Sequence, residues 1–300
     1  MRLVLGFMWL LHWLPLPILG RIGEATGALL FVLLRSRRHI ALVNLGLCMP
    51  QLSEEERKTL ARRHFQDYAR SILERGVLWW GSRERLSRLI EIESEMPLSV
   101  LTDGPTIMLC PHFVCLDVAG VAIVLKLKIP SCSMYTRQQN KVFDEALLKG
   151  RSRFLPVKLF SRADGIKPVI RAMREGLPFF MLPDMDFGRK DAEFVPFFGI
   201  PAATLTAPAR LAGVTGAKVV VVIATYKPGY KGWTVRFYKP WENYPGPDVI
   251  AATRRMNEVI EQRVLENPAE YFWAHKRFKT RPEGEAGYYQ KKAGKKPRGE

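Results

Sequence analysis

One histidine in this sequence, His112, has an acidic residue at a spacing that suits acid–base chemistry. His112 follows the apolar run 106–110 and Pro111, and Asp117 lies five positions further on. If the run is a strand that turns into a helix, the Asp117 carboxylate is expected to hold one ring nitrogen of His112. The other ring nitrogen then faces a cleft as a general base, and a substrate alcohol can be the nucleophile.

The spacing alone is weak support for this interpretation. Five histidines and 29 acids in 300 residues give on the order of 0.5 such pairs by chance. A lone histidine beside an apolar strand is more often a structural hydrogen-bonding residue. Cys110, Cys115 and Cys132 surround His112, so a zinc site is an alternative. The sequence has no C-x-x-C pair, and cysteines in apolar runs usually behave as small hydrophobic residues, so we expect no metal and no cofactor.

The segments that must position these residues alternate between strand and helix patterns from residue 104 onward. Buried strands are predicted at 106–110, 131–136, 178–182 and 218–225, and an edge strand at 233–239. Helices are predicted at 114–127 and 141–149, after a cap at Asp164 and after Asp248. Ser53 and Glu56 form a capping box before an earlier amphipathic helix. This alternation predicts an α/β sheet with its site at the carboxyl ends of strands.

The N-terminus is apolar in two stretches. Residues 3–20 carry no formal charge, residues 25–34 are again apolar, and three arginines follow at 35, 37 and 38. A secretory signal peptide has its basic cluster before the apolar run, so that interpretation is not favoured. We predict that residues 1–38 are an uncleaved membrane anchor whose arginines stay on the cytoplasmic side. The alternative is a buried core helix, because apolar runs of this length are ambiguous.

The chain is strongly basic. It has 46 lysines and arginines against 29 acids, a formal net charge of +17. Such a charge favours an anionic partner, either a nucleic acid, a membrane surface or an acidic carrier protein. Aromatic residues interleaved with arginine on a strand face would favour nucleic acid, but the aromatics fall in apolar blocks instead, so we expect no nucleic-acid partner. Residues 39–280 are predicted as the catalytic domain and 281–300 as a basic flexible tail.

The His112-x4-Asp117 block resembles the His-x4-Asp/Glu motif of glycerolipid-type acyltransferases. Further blocks resemble one branch, the bacterial lipid A biosynthesis acyltransferases (the lauroyl/myristoyl transferase family). The blocks with this resemblance begin at Arg38, Tyr135, Arg151, Leu182, Phe194 and Tyr271. They cover nearly the whole chain in the family's order. Asp117 stands where many members have glutamate, which requires a closer approach to the histidine ring.

The resemblance implies a fold and a reaction. The fold is a glycerolipid-acyltransferase-like mixed α/β sheet flanked by helices, with an N-terminal anchor helix. The acyl donor is acyl carrier protein, and the acceptor is a hydroxyl of an anionic, Kdo-bearing lipid A precursor at the inner membrane. His112 and Asp117 are the implied catalytic residues, without an acyl-enzyme. An acceptor such as a glycerophospholipid or a phosphatidylinositol mannoside is the alternative, as is a non-catalytic membrane scaffold.

The same blocks suggest residues that bind the substrate. We predict this role for Arg137, Asn140, Arg151, Arg153, Asp184 and Arg189. Arginine side chains donate paired hydrogen bonds to phosphate or carboxylate, although exposed arginines are often simply solvated. The pair Asp184 and Asp186 could instead hold a metal or pair with basic residues.

Overall fold

The computed structural model describes residues 1–290, so the part of the predicted tail at 291–300 lies outside the described residues. The described helices are α1 (Arg2–Leu11), α2 (Leu16–Leu33), α3 (Arg35–Cys48), α4 (Glu54–Trp80), α5 (Arg83–Leu89), α6 (Leu116–Leu125), α7 (Lys141–Arg151), α8 (Lys167–Arg174), α9 (Ala207–Thr215) and α10 (Val249–Glu266). The strands are β1 (Ile90–Ser94), β2 (Thr106–Leu109), β3 (Ser131–Tyr135), β4 (Val157–Ser161), β5 (Phe179–Met181), β6 (Ala192–Phe197), β7 (Ile200–Leu205), β8 (Lys218–Tyr226) and β9 (Trp233–Phe237).

Seven of these strands form one mixed sheet in the order β1-β9-β8-β2-β5-β3-β4. β8 and β9 are antiparallel, and the other neighbouring strands are parallel. β6 and β7 form a separate antiparallel hairpin. The predicted α/β class with a mixed sheet is confirmed.

Helices cover both faces of the sheet, and each face has its own core. On β8, Val220 and Val222 point into one core with α6, whereas Val219 and Val221 point into the other with α10. Side chains alternate across a strand, so a strand that is buried on both faces has a continuous apolar sequence. The valine run of β8 satisfies this requirement, which explains why it was recognisable from the sequence.

The N-terminal helix α2 packs along α4 through its glycines. A Cβ atom at Gly23 would lie 2.5 Å from the Cα of Arg70, and one at Gly27 would lie 2.4 Å from the Cα of Gln66. Glu24, between them, lies 3.4 Å from a guanidinium nitrogen of Arg63. The absence of side chains at the two glycines therefore lets the two helix backbones approach closely.

Three details differ from the sequence predictions. Asp164 does not cap α8 but closes a short turn by accepting a hydrogen bond from the amide of Ser161 at 2.8 Å. The predicted edge strand, β9, is internal because β1 pairs outside it. Within 281–290, predicted as part of the flexible tail, Arg281 is buried and Tyr289 is held, because its hydroxyl donates to the side-chain oxygen of Asn44 at 2.6 Å.

We expect Gly27→Ala to destabilise the fold by about 1–3 kcal/mol, because its methyl group would meet the backbone of α4 and overpack the contact. Gly6→Ala is the matched control, since a Cβ atom there meets nothing within 4 Å. Urea unfolding of both variants in the same detergent measures the difference. Equal stability of the two variants would contradict the close α2–α4 contact.

Candidate active site

His112 lies in the loop that connects the end of β2 to α6. Its carbonyl accepts a hydrogen bond from the amide of Phe272 at 2.9 Å, and the amide of Val114 donates to the carbonyl of Glu270 at 2.8 Å. Phe113, between them, forms an antiparallel bridge with Tyr271. The loop backbone is therefore held on both sides of His112 by a segment that follows α10.

The His112 ring is held by Asp184. Its Nδ1 lies 2.7 Å from Oδ1 of Asp184, while its backbone amide donates to Oδ2 of the same carboxylate at 2.9 Å. Asp184 is only 1% exposed. Burial opposes ionisation of Asp184, but the charge and hydrogen bonds of His112 outweigh it and lower the pKa of Asp184 to about 2. Asp184 is therefore a buried carboxylate that stays ionised beside the imidazole.

The sheet register explains why these two residues meet. β2 and β5 are parallel neighbours, and Leu109 pairs with Met181. His112 lies three residues beyond Leu109, and Asp184 lies three residues beyond Met181. Both chains thus leave the same edge of the sheet at the same level, which is where sites in such sheets are expected.

The predicted contact between Asp117 and His112 was wrong. Asp117 is at the start of α6 but its Oδ2 accepts from Arg75, with Nε at 2.8 Å and Nη2 at 2.7 Å. Its Oδ1 lies 3.4 Å from Nη2 of Arg151. Burial opposes ionisation of Asp117, but the two arginines outweigh it and lower its pKa. Paired guanidinium donors stabilise a buried carboxylate strongly. Asp117 therefore binds the two arginines and does not bind the imidazole of His112.

His112 lines a groove of about 580 Å³ on the carboxyl-end side of the central strands. Most of its lining is apolar and includes Phe179 of β5, Ile170 of α8 and Leu211 of α9. The ring nitrogen Nε2 of His112 has no hydrogen bond to any residue that the structure describes. A smaller cavity of about 60 Å³ adjoins the groove, and Arg151, Phe180 and Leu182 line both. The histidine therefore faces a space suited to an apolar chain.

The predicted binding residues are distributed unevenly around this groove. Arg151 lines it, whereas the guanidinium of Arg153 lies 4.7 Å from the ring of Phe154 and donates to the carbonyl of Leu78 at 3.3 Å. Asn140 caps α7 through the amide of Phe143, at 3.1 Å. These contacts give Arg153 and Asn140 structural partners away from the groove.

Three other predicted residues have different surroundings. Arg189 donates to the carbonyl of Arg281 at 2.8 Å, and Arg137 is exposed beside the groove-lining Thr136. Both oxygens of Asp184 bond to His112, and Asp184 is not among the residues that line the groove. Asp186 accepts from the amide and the hydroxyl of Thr280, so it fixes the C-terminal segment.

Two basic residues at the groove were not predicted. Arg162 lies in the short turn after β4 with its guanidinium 3.8 Å from the ring centre of Phe187, and Arg210 projects from α9. Neither belongs to a motif, and only the packing of α8 and α9 brings them to the groove. Together with Arg151 they give the largely apolar groove a basic rim, against the single carboxylate of Asp191.

The cysteines near His112 are poor nucleophiles. Burial raises the pKa of Cys110 well above its usual range, and the nearby carboxylates Asp184 and Asp117 raise it further. Burial likewise raises the pKa of Cys115, helped by Glu270 and Glu74. A thiol must ionise to attack, so these side chains are inert core residues. Within residues 1–290, no cluster of three or more metal-ligating side chains is arranged to hold a metal ion.

The arrangement has the parts of an alcohol-activating site. One imidazole nitrogen is held by a buried, ionised carboxylate, which leaves the other as a proton acceptor on the groove side. An arginine held by Asp117 lies on the same groove and can donate to a developing negative charge. These groups suit the transfer of an acyl group to a hydroxyl.

Comparison with known proteins agrees with this chemistry. The family model described as bacterial lipid A biosynthesis acyltransferase matches residues 1–280. The chain is 30% identical over 288 residues to the lipid A biosynthesis palmitoleoyltransferase of Escherichia coli (strain K12), with 95% of this chain and 92% of that protein covered. It is 32% identical over 288 residues to the lauroyltransferase of the same strain, with 95% and 93% covered.

A third relative is matched over a smaller share of its length, and a solved structure is matched at low sequence identity. The lipid A biosynthesis myristoyltransferase of Escherichia coli (strain K12) is 33% identical over 281 residues, with 92% of this chain and 84% of that protein covered. The crystal structure of the 1-acyl-sn-glycerophosphate acyltransferase from Thermotoga maritima aligns with a TM-score of 0.41 at 15% identity. That alignment covers 83% of this chain and 97% of the other.

Proposed function

Because this chain belongs to the bacterial lipid A biosynthesis acyltransferase family, we propose that it transfers a fatty-acyl chain from acyl carrier protein to a hydroxyl of a Kdo-bearing lipid A precursor. The relatives compared above are named as palmitoleoyl-, lauroyl- and myristoyltransferases, so the proposal is for the fatty-acyl class. The observation that carries it is the position of His112, which lines an apolar groove while Asp184 holds its Nδ1.

The proposed reaction is a single displacement. Nε2 of His112 takes the proton of the acceptor hydroxyl as the oxygen attacks the thioester carbonyl. The new C–O bond forms, the C–S bond breaks, and the departing thiolate takes the proton back from the imidazolium. No oxidant, reductant or metal enters this balance, and general-base catalysis of this kind contributes about 10²–10⁴-fold.

The charges of the groove support anionic substrates. Arg151, Arg162 and Arg210 line it, and the chain as a whole has a formal net charge of +17. Basic residues at a groove raise the local concentration of anions and form charge-assisted hydrogen bonds with phosphate. A phosphorylated lipid acceptor and an acidic carrier protein are both partners of this kind.

We also propose that the protein works on the cytoplasmic face of the bacterial inner membrane, with α1 and α2 against the lipid. By length and composition, α2 is the one helix among the described residues that could cross a membrane. It is packed along α4, which contains the buried charged residues Arg70 and Glu74 only 2.6 Å apart. If α2 left α4 to span a bilayer, the packing between α2 and α4 would be lost. We therefore place α2 along the membrane surface.

The outer side of α1 and α2 fits such a surface. Exposed apolar side chains cover both helices: Leu3, Phe7, Leu10, Trp13, Ile18, Ile22, Leu29, Val32 and Leu33. Soluble proteins rarely leave a contiguous apolar surface of this kind uncovered. The exposed Arg35, directly after it, is placed to meet anionic headgroups.

For the membrane surface, we expect the double variant Phe7→Glu, Leu10→Glu to bind anionic phospholipid vesicles about 100-fold more weakly. Each exposed side chain contributes roughly 1.5 kcal/mol when it enters the lipid. Leu265→Glu, at an exposed position on α10, is the control and should bind like the wild type. Vesicle sedimentation in high salt measures this, and unchanged binding of the double variant would refute the assigned surface.

For the reaction, we expect the rate of acyl transfer to fall by about 10²–10⁴-fold in His112→Ala, because this variant lacks the proton acceptor. The variant should remain folded. Transfer from acyl carrier protein to purified precursor is followed by mass spectrometry. His39→Ala changes a histidine that does not line the groove, so it should retain activity. Near-normal transfer by the His112 variant, or a stable acyl adduct on the wild-type protein with donor alone, would contradict the mechanism.

A further inference from the structure

We propose that two carboxylates divide the work of the site: Asp184 positions His112, and Asp117 positions the Arg75–Arg151 pair. The proposal rests on the function proposed above and assigns roles within that same site. The sequence spacing suggested that Asp117 holds His112. In the structure the acid that contacts His112 is Asp184, which is 72 positions away.

The first half follows from the bonds of Asp184. One oxygen meets the ring Nδ1 of His112 at 2.7 Å, and the other accepts from its backbone amide at 2.9 Å. A single carboxylate thus fixes both the ring orientation and the backbone that carries it. A carboxylate oxygen can only accept a hydrogen bond, so Nδ1 of His112 must carry the proton that it donates to Asp184. Neutral His112 is therefore the Nδ1–H tautomer, and its Nε2 can accept a proton.

His112 is the neighbour that keeps the Asp184 carboxylate ionised against its burial. It is 1% exposed and faces Cys110, Tyr271 and His275 as well as His112. Burial raises the pKa of the Tyr271 hydroxyl, and the charge of Asp184 raises it further, so the tyrosine stays protonated. Burial lowers the pKa of His275 to about 4, so this ring is neutral near pH 7. Among these groups, His112 is the one that bonds to Asp184 through both its ring and its backbone amide.

The second half follows from the contacts of Asp117. Arg75 approaches Oδ2 with two nitrogens, at 2.7 and 2.8 Å, and Arg151 approaches Oδ1 at 3.4 Å. Both carboxylate oxygens therefore have guanidinium partners. Arg75 comes from α4 and Arg151 from the end of α7, so Asp117 bridges two helices that also pack against each other through Trp79 and Phe143.

The Arg151 guanidinium lies on the groove that His112 also lines, and its side chain is 32% exposed. Two carboxylate-held arginines are rigid, and a rigid donor stabilises a developing oxyanion without having to reorganise. In this arrangement Asp117 lines the small cavity beside the groove, and its oxygens bond to the arginines and not to the proton acceptor. It is a positioning residue for the arginines, as Asp184 is for the histidine.

The direct test is the tautomer of His112, measured by ¹⁵N NMR of histidine-labelled protein in detergent, with the signal assigned by its loss in His112→Ala. In the wild type at neutral pH we expect protonated Nδ1 and bare Nε2. In Asp184→Asn, the amide can donate to Nδ1, so the proton should move to Nε2. In Asp117→Asn, the tautomer should stay as in the wild type.

Kinetics separate the two roles further. We expect kcat to fall by about 10⁴-fold in Asp184→Asn, as happens when the orienting acid of a triad is lost. Asp117→Asn should lower kcat by about 10²–10³-fold, the loss of an oxyanion donor, with little change in KM. Asp117→Glu keeps a carboxylate for the arginines and should recover most activity. Asp103→Asn, at an exposed ion pair with Lys218, is the control for substitution itself.

Several results would overturn the division of roles. One is a wild-type His112 with its proton on Nε2, a measurement that needs only the His112→Ala variant used for assignment. Others are an unchanged tautomer in folded Asp184→Asn, or an altered one in Asp117→Asn. The tautomer is measured without substrate. The proposed division of roles can therefore be contradicted while acyl transfer is intact. Conversely, failure of the proposed function would appear as no acyl transfer by the wild-type protein, whatever the tautomer of His112.

Discussion

The buried carboxylate of Asp184 against the imidazole of His112 is the interaction on which the site depends. A carboxylate that is 1% exposed is unfavourable unless its charge is matched and its oxygens are hydrogen-bonded. His112 meets the second condition through its ring and its amide, and it meets the first when its ring takes the proton of the acceptor hydroxyl. The parallel pairing of β2 with β5 brings the two together, and the bridge from Phe113 to Tyr271 holds the loop from the other side.

The rest of the site is organised around a second buried carboxylate. Asp117 holds Arg75 and Arg151, and Arg151 in turn faces the groove that contains His112. The two acids thus place a proton acceptor and a cationic donor on one largely apolar surface. That combination matches a substrate with a long hydrocarbon chain and an anionic head, which is the chemistry proposed for this member of the family.

The sequence predicted those parts of the molecule whose signals are local. The valine run of β8 and the capping box at Ser53 both appear where expected, and His112 lies after a buried strand as predicted. The pairing of His112 with Asp184 could not be predicted, because the residues are 72 positions apart and meet only through the order of the strands. Sequence spacing instead pointed to Asp117, whose partner Arg75 is 42 positions away.

The N-terminus shows the same limit. Composition predicted an apolar segment at a membrane, but the contact of Gly23 and Gly27 with α4 depends on how the helices pack. The basic rim of the groove likewise depends on packing, because Arg162 and Arg210 reach the groove from elements that carry no sequence motif. Residue types and periodicity therefore indicated the α/β fold class and the apolar N-terminus, and the family resemblance indicated the reaction. The partners of the two acids required the three-dimensional arrangement.

Mass spectrometry of lipid A from cells with and without this gene tests the central claim most directly. Transfer of a fatty-acyl chain to a lipid A precursor predicts that deletion lowers the mass of lipid A by one fatty-acyl chain, and that the wild-type gene restores it. Lipid A of unchanged acyl composition in the deletion strain, with no other gene supplying the same transfer, would contradict the account.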